Sequence, residues 1–346
     1  MVRFEIVSTD TSAPCGLARF TAGLAEALSV DGSSVGLADG PLNPADVAIL
    51  QHQDGAIGHD VVDIVGGLRV PSIVVVHTVS KDPTPQQRSA LESIAAAADH
   101  VVVLSEAARQ RLFLTYAVDR LKVTTIPHGA TLPTAPRVKR PSRPTILTWG
   151  LLRPGKGIER VIDAMPSLRD VPGRPRYVIA GPMDPRIPVA EAEAYRDARL
   201  EQASRLGVAD SVSFDPRYYD KTALAELIQQ ASVVVLPDDC TENVSSGVLV
   251  DAFANGRPIV ATAFPHAVEM LGSGAGMVVD HDDSAALAAT LRQIITQPRL
   301  AGSMAAEVRR RAPEVAWPVV AAAYIELAQR LIAQHADRRR RGAETT

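Results

Sequence analysis

Short segments of this 346-residue chain carry side chains suited to an anionic, hydroxyl-rich ligand. The run Gly150-Leu151-Leu152-Arg153-Pro154-Gly155-Lys156-Gly157 sets two cations just ahead of a stretch with helical spacing. Cations are unfavourable beside a helix N-terminus, where the peptide dipoles already present positive partial charge. A bound anion removes the conflict, so Arg153 and Lys156 predict a diphosphate held by side chains and backbone N–H groups. The competing reading is a solvated loop with two surface cations. The pattern Gly-x-x-x-x-Gly-Lys-Ser/Thr of phosphate loops is absent.

A second segment runs from Pro237 to Asp251. Glu242 and Asn243 offer polar groups to sugar hydroxyls, while Ser245, Ser246 and Gly247 offer donors to phosphate. A helix beginning near Ser245 puts Asp251 two turns in, where one carboxylate can accept both hydroxyls of a ribose. Structurally, Ser245 as an N-cap and Asp251 as a solvated helix residue fit equally. His77-Thr78 follows a wholly apolar run, and His128-Gly129 follows another. A strand C-terminal end is where open α/β sheets bind ligands, although core packing or turn chemistry would also use these residues. Gly16, at the head of a helical stretch, suits either a phosphate or a tight turn, and Cys15 reads as a small loop residue. Asp238-Asp239 and Asp280-His281-Asp282-Asp283 look like Mg²⁺ ligands, but the latter precedes a helix at Ser284 and reads as a capping turn. Gly272-Ser273-Gly274-Ala275-Gly276 precedes a strand instead of following one, which removes the main support for a nicotinamide dehydrogenase.

These loops need strands to position them. Ile73-Val74-Val75-Val76 and Val233-Val234-Val235-Leu236 are apolar at every residue, the mark of parallel strands covered on both faces. Helical spacing separates such runs, as in Leu17, Phe20, Leu24 and Leu28 or Ile158, Val161, Ile162, Met165 and Leu168. The alternation predicts right-handed βαβ units in a doubly wound α/β fold. Pro133, Pro136, Pro141 and Pro144, with arginines and a lysine among them, predict a linker. The expected division is residues 1–140, residues 141–316, a closing helix over 317–335, and a disordered basic tail over 336–346. Hydrophobic residues at 46% exclude wholesale disorder. The 36 Lys and Arg against 39 Asp and Glu do not describe a nucleic-acid binder. Neither half is basic, so docking on an anionic membrane is not indicated. Two cysteines make neither a disulfide framework nor a four-thiolate zinc site. The absence of a long apolar run predicts a cytoplasmic protein without a membrane span.

Together the segments resemble glycosyltransferase family 4, the retaining nucleotide-sugar transferases of GT-B fold. The resemblance runs through Cys15 to Ala18, His77-Thr78, Ile126 to Gly129, Gly150 to Gly157, Val178 to Gly181, Asn243 to Asp251, Gly256 to Thr262 and Ala316-Trp317. It implies two Rossmann-like domains facing across a cleft, with the last helix crossing back to the N-terminal, acceptor-side domain. By the same resemblance Gly16 borders the acceptor and the donor phosphate, His77 contacts the transferred sugar, Lys156 holds the diphosphate, and the C-terminal domain binds the nucleotide sugar. The family's Glu, seven residues, Glu spacing falls on Asn243 and Asp251, with Glu242 beside the first. The family's arginine after the strand-end glycine is Leu151 here, which leaves that charge to Arg153. Gln51 to Gly58 resembles the acceptor-side loop of a bacterial subgroup.

The expected activity is therefore metal-independent transfer of a sugar, with retention, from a nucleoside diphosphate to a saccharide or other hydroxyl acceptor. GDP-mannose is placed first and a UDP-sugar next. The nucleotide sugar enters as co-substrate, and no further cofactor is expected. A GT-B nucleotide-sugar epimerase and a non-catalytic sugar-nucleotide sensor are the alternatives.

Overall fold

The structure, a computed structural model, describes residues 1–7, 16–38, 44–53, 59–134 and 141–344, excepting the side chains at 38, 59–61 and 342–344. Backbone contacts divide the chain into one unit of Met1–Ala130 with Glu314–Thr346 and a second of Thr131–Pro313. The sequence boundaries at 140 and 316 thus differ by ten and three residues from those of the contacts.

The first unit alternates β1 (Arg3–Val7), α1 (Gly16–Val30), β2 (Ser34–Ala38), β3 (Val47–His52), α2 (His59–Gly67), β4 (Ser72–Val76), α3 (Pro85–Ala97), β5 (His100–Val103), α4 (Glu106–Thr115) and β6 (Val123–Thr125). Its six strands pair in the order β2-β1-β3-β4-β5-β6, all parallel. Edge strand β2 lacks an apolar run, and the sequence patterning passes over it. Its Gly36 is required by a neighbour, because a Cβ there would lie 1.9 Å from Glu5 Oε2.

The second unit continues with β7 (Thr145–Trp149), α5 (Ile158–Ala164), β8 (Arg176–Ala180), α6 (Val189–Arg205), β9 (Val212–Asp215), α7 (Lys221–Gln230), β10 (Val233–Leu236), α8 (Gly247–Ala254), β11 (Ile259–Thr262), α9 (Pro265–Leu271), β12 (Gly276–Val279), α10 (Ser284–Thr296) and α11 (Pro298–Arg311). Its strands order as β12-β11-β10-β7-β8-β9, again all parallel. The chain walks outward from β7 in one direction and from β10 in the other. The β7/β10 boundary is therefore the topological switch point, the place where open α/β sheets bind their ligands. Its core joins Ile146, Tyr177, Ile179, Val233 and Val235 to the apolar stripes of α5 and α10.

The closing helix α12 (Trp317–Glu344) belongs to the first unit. Val320, Ala321, Tyr324, Leu327, Ala328 and Leu331 recur at three- and four-residue steps and pack with Phe20, Leu24 and Leu28 of α1. The Trp317 ring sits so close to Gly23 and Gly129 that a Cβ at either would come within 2.3 Å and 2.2 Å of it. Of the stretch 336–346, residues 345–346 lie outside the described residues and 336–344 continue α12, along which Arg338 pairs with Asp99 at 3.3 Å and Arg339 donates to the Arg69 carbonyl. Ala and Arg are good helix formers, and a helix already nucleated on α1 extends through them at little cost. No described helix is long and apolar enough to cross a membrane.

Candidate functional site

In the second unit, the loops after β7 and β10 meet at the switch point. Gly157 caps α5 in the left-handed region, φ 66°, and a Cβ there would lie 1.7 Å from the Pro237 carbonyl oxygen. Asp239 N–H donates to the Gly155 carbonyl at 3.0 Å. Gly150, φ 120°, lies where a Cβ would meet Val248 in the first turn of α8 at 3.7 Å. The glycines of the Gly150 to Gly157 run thus serve this close apposition, since other residues rarely take positive φ.

Lys156 and Arg153 fare differently. Lys156 Nζ lies 3.0 Å from Asp238 Oδ2, both side chains almost buried at 13% and 12% exposure. Arg153 is exposed, and its side chain makes no hydrogen bond or ion pair among the described residues. Its charge adds to that of Arg186, the main cause, in holding the Asp184 carboxyl below the usual range. The sequence reading treats both cations as open to an anion, whereas the structure leaves only Arg153 so. The pairing arises because Asp238 follows the neighbouring strand β10, 82 positions away. Arg160, on α5, pairs with Asp239 at 2.7 Å. Burial outweighs that partner and pushes the Asp239 carboxyl up.

The β10–α8 loop is held from within. Asn243 Oδ1 accepts the Ser245 N–H at 3.1 Å, closing an Asx turn. Ser246, not Ser245, caps α8: its hydroxyl oxygen accepts the Leu249 N–H at 3.3 Å. The cap leaves the N–H groups of Gly247 and Val248 as orphan donors at the head of the helix. Asn243, Ser245 and Ser246 therefore shape the loop through contacts the sequence reading reserves for ligand. Glu242 is half-buried in this loop, and Asp251 is half-buried on α8. Pattern reading misses His266, whose Nδ1 accepts the Ser246 N–H at 2.9 Å. No local motif marks it, because its partner is 20 positions away. Asp283, within the acidic run 280–283, caps α10 by accepting the Ala286 N–H at 2.7 Å. Among the described residues no three His, Cys, Asp or Glu side chains gather to hold a metal.

In the first unit, His77 follows β4 and His128 follows β6. The His77 Nε2–H donates to Gln51 Oε1 at 2.6 Å, and His77 N–H donates to the His52 carbonyl at 2.9 Å. The His128 Nδ1–H donates to the Gly129 carbonyl at 2.8 Å. Both rings stand edge-on to Phe20, at 4.9 Å and 5.0 Å, and Trp317 covers the same ring at 5.6 Å. Loss of water pushes His77 down to about 3, with smaller effects from His128 and His52. Burial likewise takes His52 and His128 to about 4. These imidazoles are neutral at pH 7 and act as hydrogen-bonding groups rather than as charges. At Gly129 a side chain would collide with the Trp317 ring. Gly16 opens α1 and is exposed. Cys15 and residues 54–58 of the Gln51 to Gly58 segment lie outside the described residues.

Residues 143–297, most of the second unit, match the family described as glycosyl transferases group 1. The chain is 28% identical over 306 residues to D-inositol 3-phosphate glycosyltransferase of Kineococcus radiotolerans, a match spanning 78% of this chain and 68% of the relative. The same-named protein of Streptomyces avermitilis is 28% identical over 73% of this chain and 59% of its own length. The chain thus spans between about half and two-thirds of such relatives, 55% for that of Rhodococcus jostii. GDP-mannose:glycolipid 4-beta-D-mannosyltransferase of Xanthomonas campestris is 27% identical over 44% of this chain and 41% of its own. Sucrose-phosphate synthase from Thermosynechococcus elongatus superposes with a TM-score of 0.78 at 19% identity, covering 96% of this chain and 100% of that one. Anabaena HepE, solved with UDP and glucose, gives 0.75 at 17% identity over 96% and 100%. The fold is GT-B, with each of the two units built on a six-stranded parallel sheet.

Proposed function

We propose that this chain transfers a hexosyl group from a nucleoside diphosphate to a hydroxyl acceptor with retention at the anomeric carbon, using GDP-mannose first and a UDP-sugar next. The observation that carries the reading is the switch-point loop of residues 150–157, which brings a free arginine and a buried lysine to one strand end inside the matched residues 143–297. Charge accumulates on the diphosphate oxygens as the glycosidic bond breaks, and fixed cations stabilise that charge more than they stabilise the intact donor. Arg153 meets the incoming diphosphate first. Lys156 engages it by sharing or leaving Asp238. The head of α8 adds the N–H groups of Gly247 and Val248, Glu242 accepts from sugar hydroxyls, and Asp251 takes the ribose hydroxyls.

His77 orients the transferred sugar as a neutral imidazole whose Nε2 proton is committed to Gln51. The acceptor proton passes to the leaving phosphate, so no side chain here serves as general base. The preference for GDP-mannose draws on the Xanthomonas relative, whose name carries that donor, and the UDP alternative on HepE, solved with UDP and glucose. Thermal denaturation with GDP, UDP and ADP in turn tests the donor reading. A ligand at one hundred times its Kd adds about 2.7 kcal/mol to the folded state, and GDP is expected to raise the Tm most. No shift with any of the three overturns the proposal. NMR of the anomeric proton of the product tests retention.

A further inference from the structure

His266 touches the β10–α8 loop twice. Its backbone N–H donates to the Asn243 carbonyl at 3.2 Å, and its ring Nδ1 accepts the Ser246 N–H at 2.9 Å. The side chain is 3% exposed on α9, at the end of the strand next to β10. Between its two contacts lie Val244 and Ser245, the latter already turned by Asn243 Oδ1. Ser246 is also the N-cap of α8, so the ring that accepts its N–H fixes the origin of the helix carrying Gly247, Val248 and Asp251. An imidazole that accepts through Nδ1 carries its own proton on Nε2, so the contact sets the tautomer as well as the place of the loop.

We infer that His266 is a positioning residue for nucleotide-sugar binding, holding the Asn243–Gly247 loop and the head of α8 in their donor-receiving arrangement through the Ser246 N–H. This rests on the donor site proposed above. Without the ring acceptor, the Ser246 N–H loses its partner and the contact between His266 and the loop is reduced to the Asn243 carbonyl. Donor affinity then falls while the chemical step, which the ring does not touch, keeps its rate. Leu and Phe at 266 fill space without accepting. Asn offers an oxygen near the place of Nδ1.

The test compares wild type, His266→Phe and His266→Asn by titration calorimetry with GDP and UDP, by donor KM and kcat, and by hydrogen exchange at the Ser246 amide. In His266→Phe, the Kd and KM are expected to rise by about tenfold or more, with kcat within about threefold and Ser246 exchange accelerated. His266→Asn is expected to restore all three to within about threefold of wild type. Nucleotide binding and amide protection both unchanged in a folded His266→Phe would overturn the inference and leave the donor site standing. Loss in His266→Phe that His266→Asn does not repair would overturn it too, since bulk packing would then explain the effect. A wild-type protein that binds neither nucleotide would overturn the donor site itself and, with it, this role.

Discussion

Replacing Lys156 should damage the protein in two separable ways. Its ammonium lies 3.0 Å from Asp238 with both side chains nearly out of solvent. At an effective dielectric of about 20, that separation is about 5.5 kcal/mol of attraction before desolvation is subtracted. Removing one partner of such a pair leaves a charge buried alone and costs about 3–5 kcal/mol. For a unit of this size each kcal/mol moves the Tm by about 2–4 °C, so Lys156→Met should melt about 6–20 °C lower. If Lys156 also grips the diphosphate in the transition state, kcat should fall about 10²–10³-fold. The double variant Lys156→Met, Asp238→Asn separates the two effects, because it removes the stranded carboxylate charge without restoring a cation. Calorimetric melting should return most of the way to wild type, while single-turnover donor cleavage stays at the level of Lys156→Met. Recovery of both Tm and rate in the double variant would refute the reasoning, since Lys156 would then matter only as the partner of Asp238.

Asp251→Ala should raise the Kd for nucleoside diphosphates by about tenfold or more, the cost of roughly one charge-assisted pair of hydrogen bonds, and unchanged affinity in calorimetry would misplace the ribose contact. Gly157→Ala meets both a left-handed backbone and the Pro237 carbonyl, so urea unfolding should show a loss of at least about 1–2 kcal/mol. An unchanged midpoint would mean that the two loops do not touch. Stability should also depend on pH through His52, His77, His100 and His128, whose folded values fall from 6.5 to about 4, 3, 4 and 4. Folded values below the unfolded one mean that the unfolded chain binds more protons, so this stability is present above pH 6.5 and is lost as pH falls towards 4. Each histidine contributes a slope of about 1.4 kcal/mol per pH unit in that window, and a flat urea midpoint between pH 5 and 6.5 would contradict their burial.

The strands were legible wherever burial demanded unbroken β-branched runs, as in β4 and β10, both buried at every residue. Edge strand β2 was not, because Ser34, Gly36 and Leu37 fit their place through neighbours, Glu5 above all, and not through any pattern of their own. The Gly150 to Gly157 run was legible as a loop between a strand and a helix carrying two cations. The partner that crowds Gly157, the Pro237 carbonyl, comes from a strand 80 positions later.

Local chemistry thus decided which segments become strand, helix or cap, because periodicity and hydrogen-bonding preference act over a few residues. The same local chemistry exposed the cations, histidines and polar loop as candidates. Which groups remain available to a ligand was decided only when parallel pairing brought β7 beside β10 and β10 beside β11. Those pairings gave Lys156 its carboxylate and committed the Ser246 N–H to His266, while in the first unit packing against Phe20 desolvated His77 and His128. Ion pairing and desolvation depend on distance in space, and a linear sequence does not carry that distance.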